Sequence, residues 1–187
     1  RFGTEVTAIA EKIDIDGYVY DSASASVMTV GVNEAENVLT LYYTRRNDLG
    51  YTVNYIEKGT AREIATAKTV RNVTFGTTVV SESEKITING YNYDSAEKES
   101  ITIGTGENVI NLYYTKKNDL SYTVNYVEKG TTNVLHEPKV VGNKTFDEKI
   151  VTSTEVIDIA GYNYDSANME TLTITTGENV INLYYIK

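Results

Sequence analysis

Between Tyr51 and Glu57 the chain alternates, with Tyr51, Val53 and Tyr55 on one side and Thr52, Asn54 and Ile56 on the other. A period of two over such a run predicts a β-strand. Lys58-Gly59-Thr60 then reads as a turn, and Ile64 to Val70 as a returning strand. Further on, Ile110, Leu112 and Tyr114 share a face opposite Val109, Asn111 and Tyr113. Leu39, Leu41 and Tyr43 stand in the same way against Val38, Thr40 and Tyr42. In these last two runs the first set is large and apolar, so it is assigned to the core and the second set to the surface. Ser100 to Ile103 predicts another strand, joined to the next by a Gly104-Thr105-Gly106 turn. Ser81 with Glu84 has the spacing of a capping box, which predicts one short helix. The pattern therefore predicts an α+β, predominantly β chain.

These strands recur. GYVYDSA at Gly17–Ala23 is followed by GYNYDSA at Gly90–Ala96 and again at Gly161–Ala167. NVLTLYY at Asn37–Tyr43 is followed by TGENVINLYY at Thr105–Tyr114 and Thr176–Tyr185. YTVNY, an aliphatic residue and EKGT run from Tyr51 to Thr60 and from Tyr122 to Thr131. The later copies are 71 residues apart (122 − 51, and 161 − 90), the first pair 73 apart (90 − 17). All 16 tyrosines lie inside these phrases, so they are elements of a repeat. The expected division is a partial repeat over residues 1–48, which lacks its opening strand, then complete repeats over 49–119 and 120–187. The connectors TRRNDLG (Thr44–Gly50) and TKKNDLS (Thr115–Ser121) are short and polar, which predicts an elongated beads-on-a-string array with restricted junctions.

Composition narrows the chemistry. The 187 residues include no Cys and no Trp, one His and one Pro, and carry a net charge of −9 with a pI near 4.7. Disulfides, thiolate metal sites and Cys nucleophiles are excluded. Acidic balance opposes electrostatic binding to nucleic acid or anionic membrane. No apolar run reaches the roughly 20 residues of a membrane-spanning helix.

The order YTVNY-x-EKGT, Gly-Tyr phrase, NVINLYYTK resembles the mucin-binding (MucBP-type) tandem repeats of Gram-positive bacterial surface adhesins. Ile15-Asp16-Gly17-Tyr18, Ile88-Asn89-Gly90-Tyr91 and Ile159-Ala160-Gly161-Tyr162 match the aliphatic-x-Gly-Tyr signature of their mid-unit. The resemblance implies ubiquitin-like β-grasp repeats, extracellular display at the cell surface, and adhesion to mucin or other host glycans. Cell-wall anchoring would then use regions outside this segment, since it holds neither an LPxTG sequence nor a secretion signal. A structural stalk or filament-forming module is the alternative within that reading. Accessory repeats of a secreted polysaccharide-degrading enzyme form another.

Catalysis and cofactors are not expected. His136 has no counterpart in the preceding copy, Asp14-x-Asp16-Gly17 lacks the remaining ligands of a calcium loop, and Glu97 and Glu99 become Ser24 and Ser26 in copy one. Lys58 with Asn111 and Lys129 with Asn182 are the pairs that a Lys–Asn isopeptide crosslink would use. Against it, Thr40 replaces Asn111 in copy one and the alternation points Asn111 outward. Asn72-Val73-Thr74 and Asn143-Lys144-Thr145 fit the N-glycosylation pattern. The ligand candidates are the outward rings Tyr42, Tyr113 and Tyr184, natural platforms for the apolar face of a sugar. Cross-strand packing with Tyr51 or Tyr122 is the favoured alternative for them. Finally, the incomplete first repeat predicts a vacant edge along Asn37–Tyr43, and with it a head-to-tail contact in which a strand is borrowed from a neighbour.

Overall fold

Half of the chain is extended: in the computed structural model, which describes residues 1–187, strands make up 52% and helix 6%. The first 50 residues hold β1 (Glu5–Thr7), β2 (Tyr18–Ala23), β3 (Val27–Thr29) and β4 (Leu41–Arg45). Next come β5 (Leu49–Glu57), β6 (Glu63–Val73), β7 (Thr78–Val80), β8 (Tyr91–Ala96), β9 (Ser100–Thr102) and β10 (Val109–Lys116). The last set is β11 (Leu120–Glu128), β12 (Val134–Lys144), β13 (Lys149–Val151), β14 (Asn163–Ala167), β15 (Thr171–Thr173) and β16 (Val180–Ile186). The backbone gathers into two units. One comprises Arg1–Tyr55, Ala65–Lys85 and Ala96–Leu112, the other Ile56–Ile64, Ile86–Ser95 and Tyr113–Lys187.

The last repeat displays the topology in full. Its main sheet runs β12-β11-β16-β14, and β13 pairs with β15 as a separate two-stranded ribbon. The opening strand β11 lies parallel to the closing strand β16, with Val124 opposite Ile181 and Tyr126 opposite Leu183. Edge strand β12 runs antiparallel to β11 and carries the chain's one proline, Pro138, where a missing N–H is tolerated. The sheet order β6-β5-β10-β8 and the ribbon β7-β9 repeat the scheme. In the first repeat β4 has β2 as its one neighbour, and β1 pairs with β3.

Alternation decides what is buried. Tyr122, Val124 and Tyr126 of β11 face Ile181, Leu183 and Tyr185 of β16, all at most 3% exposed, and Ile150, Leu172 and Ile174 cover them from the ribbon side. Tyr51, Val53, Tyr55, Ile110, Leu112 and Tyr114 are the equivalent interior residues. Tyrosine suits this small core because the ring fills volume while the hydroxyl reaches a polar partner. Tyr114 and Tyr185 each bond twice to backbone, to the N–H and C=O of Ile86 and of Ile157.

The short helix occurs as the 3-10 turn Ser81–Glu84, but Ser81 and Glu84 do not form a capping box. Ser81 is buried and Glu84 turns inward, where its carboxylate accepts from two donors. Tyr51 Oη donates to Glu84 Oε1 at 2.9 Å and Lys68 Nζ to Oε2 at 2.5 Å. The same triad recurs as Tyr122, Glu155 and Lys139, at 2.9 and 2.6 Å. Burial first, and then the bond to Glu155, push the Tyr122 hydroxyl up to about 12. Burial would raise Glu155 as well, yet the hydrogen bonds from Lys139 and Tyr122 outweigh it and hold the carboxyl below its ordinary value.

The connectors are shorter than the sequence suggests. Strands run to Arg45 and resume at Leu49, then run to Lys116 and resume at Leu120, leaving only Arg46–Asp48 and 117–119 outside them. Each of β2 and β14 also carries a bulge at its YDS phrase, between Tyr20 and Ser22 and between Tyr164 and Ser166.

A pH dependence follows from Glu155. The folded state binds its proton less tightly than the unfolded chain does, so its stabilisation is complete above the ordinary carboxylate range. That stabilisation is lost as pH falls through the depressed folded value. Denaturant unfolding read at the amides of Ile174 and Leu183 should show this loss on acidification. Glu155→Gln should lower stability at neutral pH and flatten the acid slope; an unchanged slope would refute the assignment.

Candidate functional site: the repeat junctions and the outward face

All three phenylalanines of the protein, Phe2, Phe75 and Phe146, stand at one position of the repeat. The residue after each lies in the left-handed region: Gly3 at φ +76°, Gly76 at +78° and Asp147 at +68°. That conformation turns the chain so that the ring leaves its own repeat, and it favours Gly or Asp. Phe75 settles on Gly17 and Phe146 on Gly90, where an added Cβ would stand 2.4 Å from ring carbons. Only glycine can form these seats, and both are buried. Tyr18 meets Phe75 edge-on at 5.8 Å and Tyr91 meets Phe146 at 5.7 Å. The aliphatic-x-Gly-Tyr signature is thus a docking seat for a ring.

Polar bonds surround each seat. The Phe75 amide donates to the Arg46 carbonyl and the Phe146 amide to that of Lys117, both at 2.8 Å. Arg46 and Lys117 in turn donate to the carbonyls of Gly17 and Gly90 at 2.9 Å. Thr105 Oγ1 donates to Asp16 Oδ1, and Thr176 Oγ1 meets Asn89 Oδ1, each at 2.7 Å. Asp16 therefore serves the first junction. No group of three or more His, Cys, Asp or Glu is arranged to hold a metal ion. The glycosylation-pattern residues Asn72 and Asn143 lie at φ +58° and +55°, a conformation asparagine accepts more readily than most residues.

The outward tyrosines are placed unequally. Tyr42 is 50% exposed, whereas Tyr113 and Tyr184 are half-buried. Tyr184 lies opposite Val127 in β11 and Ser166 in β14. Packing against Tyr51 or Tyr122 does not occur: those rings are buried, on the core side of the sheet. Asn54 Nδ2 donates to Asn111 Oδ1, and Asn111 Nδ2 to Glu97 Oε2, at 2.9 and 2.7 Å. In the last repeat Asn125 Nδ2 donates to Asn182 Oδ1, and the Asn182 amide to Asn168 Oδ1, both at 2.9 Å.

Lys58 and Lys129 are not brought to Asn111 and Asn182. Their ammonium groups lie 2.5 Å from Asp94 Oδ2 and Asp165 Oδ2, oxygens that also accept from Ser95 and Ser166. The bond from Lys58 and that from Ser95 hold the Asp94 carboxyl below its ordinary value, and Asp165 is lowered in the same way. These ties join the EKGT turn to the YDSA phrase, and so explain why both phrases repeat. His136 lies exposed on edge strand β12, its ring edge-on to Tyr126 at 5.3 Å. An open cleft of about 500 Å3 is lined by Tyr164, Ser166, Met169 and Glu170 together with Val151–Ser153 and Ala167.

No protein-family model and no curated protein matches the chain. Among solved structures it is similar to Mub-RV, at 11% identity and a TM-score of 0.27, over 74% of this chain and 98% of that one. It is also similar to Streptococcal High Identity Repeats in Tandem (SHIRT) domains 3-4 from a cell surface protein, at 9% identity and TM-score 0.27, over 73% and 97%. Superpositions that loose carry no weight for function. No helix is long and apolar enough to cross a membrane.

The junction contacts predict a local effect. Phe146→Ala removes the ring and Gly90→Ala fills its seat, each costing about 1–2 kcal/mol from lost apolar burial. Amides of Lys117 and Phe146 should lose hydrogen-exchange protection roughly tenfold, while that of Leu183 keeps its own. Equal loss at Leu183 would mean that the ring supports the whole repeat instead.

Proposed function

We propose that the chain is a non-enzymatic tandem-repeat segment of a bacterial cell-surface adhesin, and that within it these repeats act as a spacer with restrained junctions. The observation that carries this reading is the recurrence of one junction chemistry, Phe on Gly-Tyr with the same surrounding bonds, at both places where repeats meet. The most strictly repeated phrases serve the core, the Lys–Asp ties and the junction seats, leaving little for a shared pocket. A ring lodged on a glycine beside a three-residue connector resists bending far more than a free polar linker would.

A second reading rests on Tyr42, whose half-exposed ring offers a stacking surface, with Tyr113 and Tyr184 at equivalent positions. On it, the repeats hold mucin or other host glycans weakly and gain avidity by number. Because the chain has no cysteine, one experiment addresses the spacer directly. Spin labels at Glu34→Cys and Lys149→Cys should give one narrow distance distribution, broadened by Phe75→Ala with Phe146→Ala. A broad distribution in the unaltered junctions would sink the spacer reading. Glycan-array binding abolished by Tyr42→Ala, Tyr113→Ala and Tyr184→Ala together would favour the second.

A further inference from the structure

The seat that holds Phe146 imposes a residue pair with a chemistry of its own. Gly90 cannot carry a Cβ, because the ring lies where that atom would stand. The residue before it is Asn89, and of all the asparagines only this one precedes a glycine. The equivalent pairs in the other copies are Asp16-Gly17 and Ala160-Gly161. A backbone nitrogen with no Cβ beside it is open to approach, and here the nearest electrophile is the Asn89 carboxamide.

The local geometry leaves both reacting ends untied. Asn89 is exposed and stands in the turn that the Tyr91 amide closes on the Ile88 carbonyl at 3.1 Å. Gly90, at φ +81°, takes the third position of that turn. Its amide donates no hydrogen bond, so nothing engages the nitrogen that would attack. The Asn89 side chain is held through its oxygen alone, by the Thr176 hydroxyl at 2.7 Å, and its Nδ2 is unpaired. Asn47 and Asn118 are exposed as well, but each precedes an aspartate, whose side chain shields the following nitrogen.

We propose that Asn89 is a deamidation site, and that its isoaspartyl product unseats the junction between the two complete repeats. The Gly90 nitrogen gives its proton to hydroxide and bonds to Cγ of Asn89, and Nδ2 leaves as ammonia. The resulting succinimide is opened by water. Breaking the new bond from Cγ to nitrogen yields aspartate. Breaking the original bond from the main-chain carbonyl to nitrogen yields the isoaspartyl linkage, in which the main chain runs through Cγ and is longer by a methylene. The two products differ in consequence. Aspartate is tolerated, because Asp16 accepts from Thr105 at 2.7 Å in the first junction as Asn89 does from Thr176 in the second. The isoaspartyl form displaces Gly90, whose carbonyl accepts from the Lys117 amide at 2.9 Å and whose open face receives the Phe146 ring. Asp16 has no amide to lose and Ala160 has no side-chain carbonyl, which confines the reaction to this junction. The inference rests on the junction geometry and is independent of the spacer and glycan readings.

The 187-residue chain, held for weeks at neutral and at mildly alkaline pH, would be digested and its peptides followed by mass spectrometry. Asn89 should convert to acid about tenfold or more faster than Asn47 and Asn118. Conversion should quicken at the alkaline pH, where the attacking amide gives up its proton more readily. Two products of equal mass are expected, of which only the isoaspartyl one is methylated by an isoaspartate methyltransferase. Intact isoaspartyl chains, separated by chromatography, should lose hydrogen-exchange protection about tenfold at the Lys117 and Phe146 amides and keep it at Leu183. The Asn89→Asp chain should match the unaltered protein at all three. Conversion of Asn89 no faster than that of Asn47 and Asn118 would overturn the site. Isoaspartyl chains that keep full protection at Lys117 and Phe146 would overturn its effect on the junction.

Discussion

The parallel pairing of opening and closing strands is the constraint on which each complete repeat depends. In the last repeat it sets Val124 against Ile181 and Tyr126 against Leu183, and β12 and β14 are added on either side of that pair. A parallel pair cannot be closed by a tight hairpin, so the intervening chain must travel round before it returns. Here that journey contains no α-helix: the two edge strands β12 and β14, a two-stranded ribbon and one 3-10 turn occupy it. Ile150 and Leu172 of the ribbon, with Ile174 just beyond it, then do the covering that a helix would otherwise provide.

So thin a cover leaves polar groups close to the interior, and the charged ones have named partners, whereas the buried Ser81 hydroxyl makes no hydrogen bond. Glu84 and Glu155 turn inward because a tyrosine hydroxyl and a lysine meet them. The lysines remain half exposed, so the charge is shared with solvent and full desolvation is avoided. Asp94 and Asp165 lie in the YDSA phrase, bound by a serine beside them and by a lysine from a distant turn. These arrangements tie residues far apart in sequence at the rim of a core that is itself short of material.

Much of this was legible in the alternation. Its inward set (Ile110, Leu112, Tyr114 and their counterparts) is the buried set, because a period of two leaves strands little choice of face. Alternation alone does not place Tyr51 and Tyr113 on opposed faces, since two adjacent tyrosines close each final phrase and composition does not say which strands share a side. Ser81 and Glu84 misled because a capping box and a buried acid have the same spacing; only the tertiary positions of Tyr51 and Lys68 decide between them. The phenylalanines carry a signal of another kind: three residues, all at one repeat position, each followed by Gly or Asp. As scattered aromatics they look like core, and their role depends on a neighbouring glycine that only the folded chain brings beneath them. For the outward tyrosines, exposure separates Tyr42 from Tyr113 and Tyr184 because β4 lacks the flanking strand that β10 and β16 have.

The ring and its glycine seat belong to the same repeat, one on each side of it. A repeat therefore brings both the key for one neighbour and the lock for the other. Duplicating or deleting a whole period conserves the number of matched pairs at every interior boundary, whichever copy is involved. An insertion or deletion of any other length separates a key from its lock. Such a chain can drift in length by unequal exchange between its own copies, and the chemistry of the boundary permits that change only in whole steps.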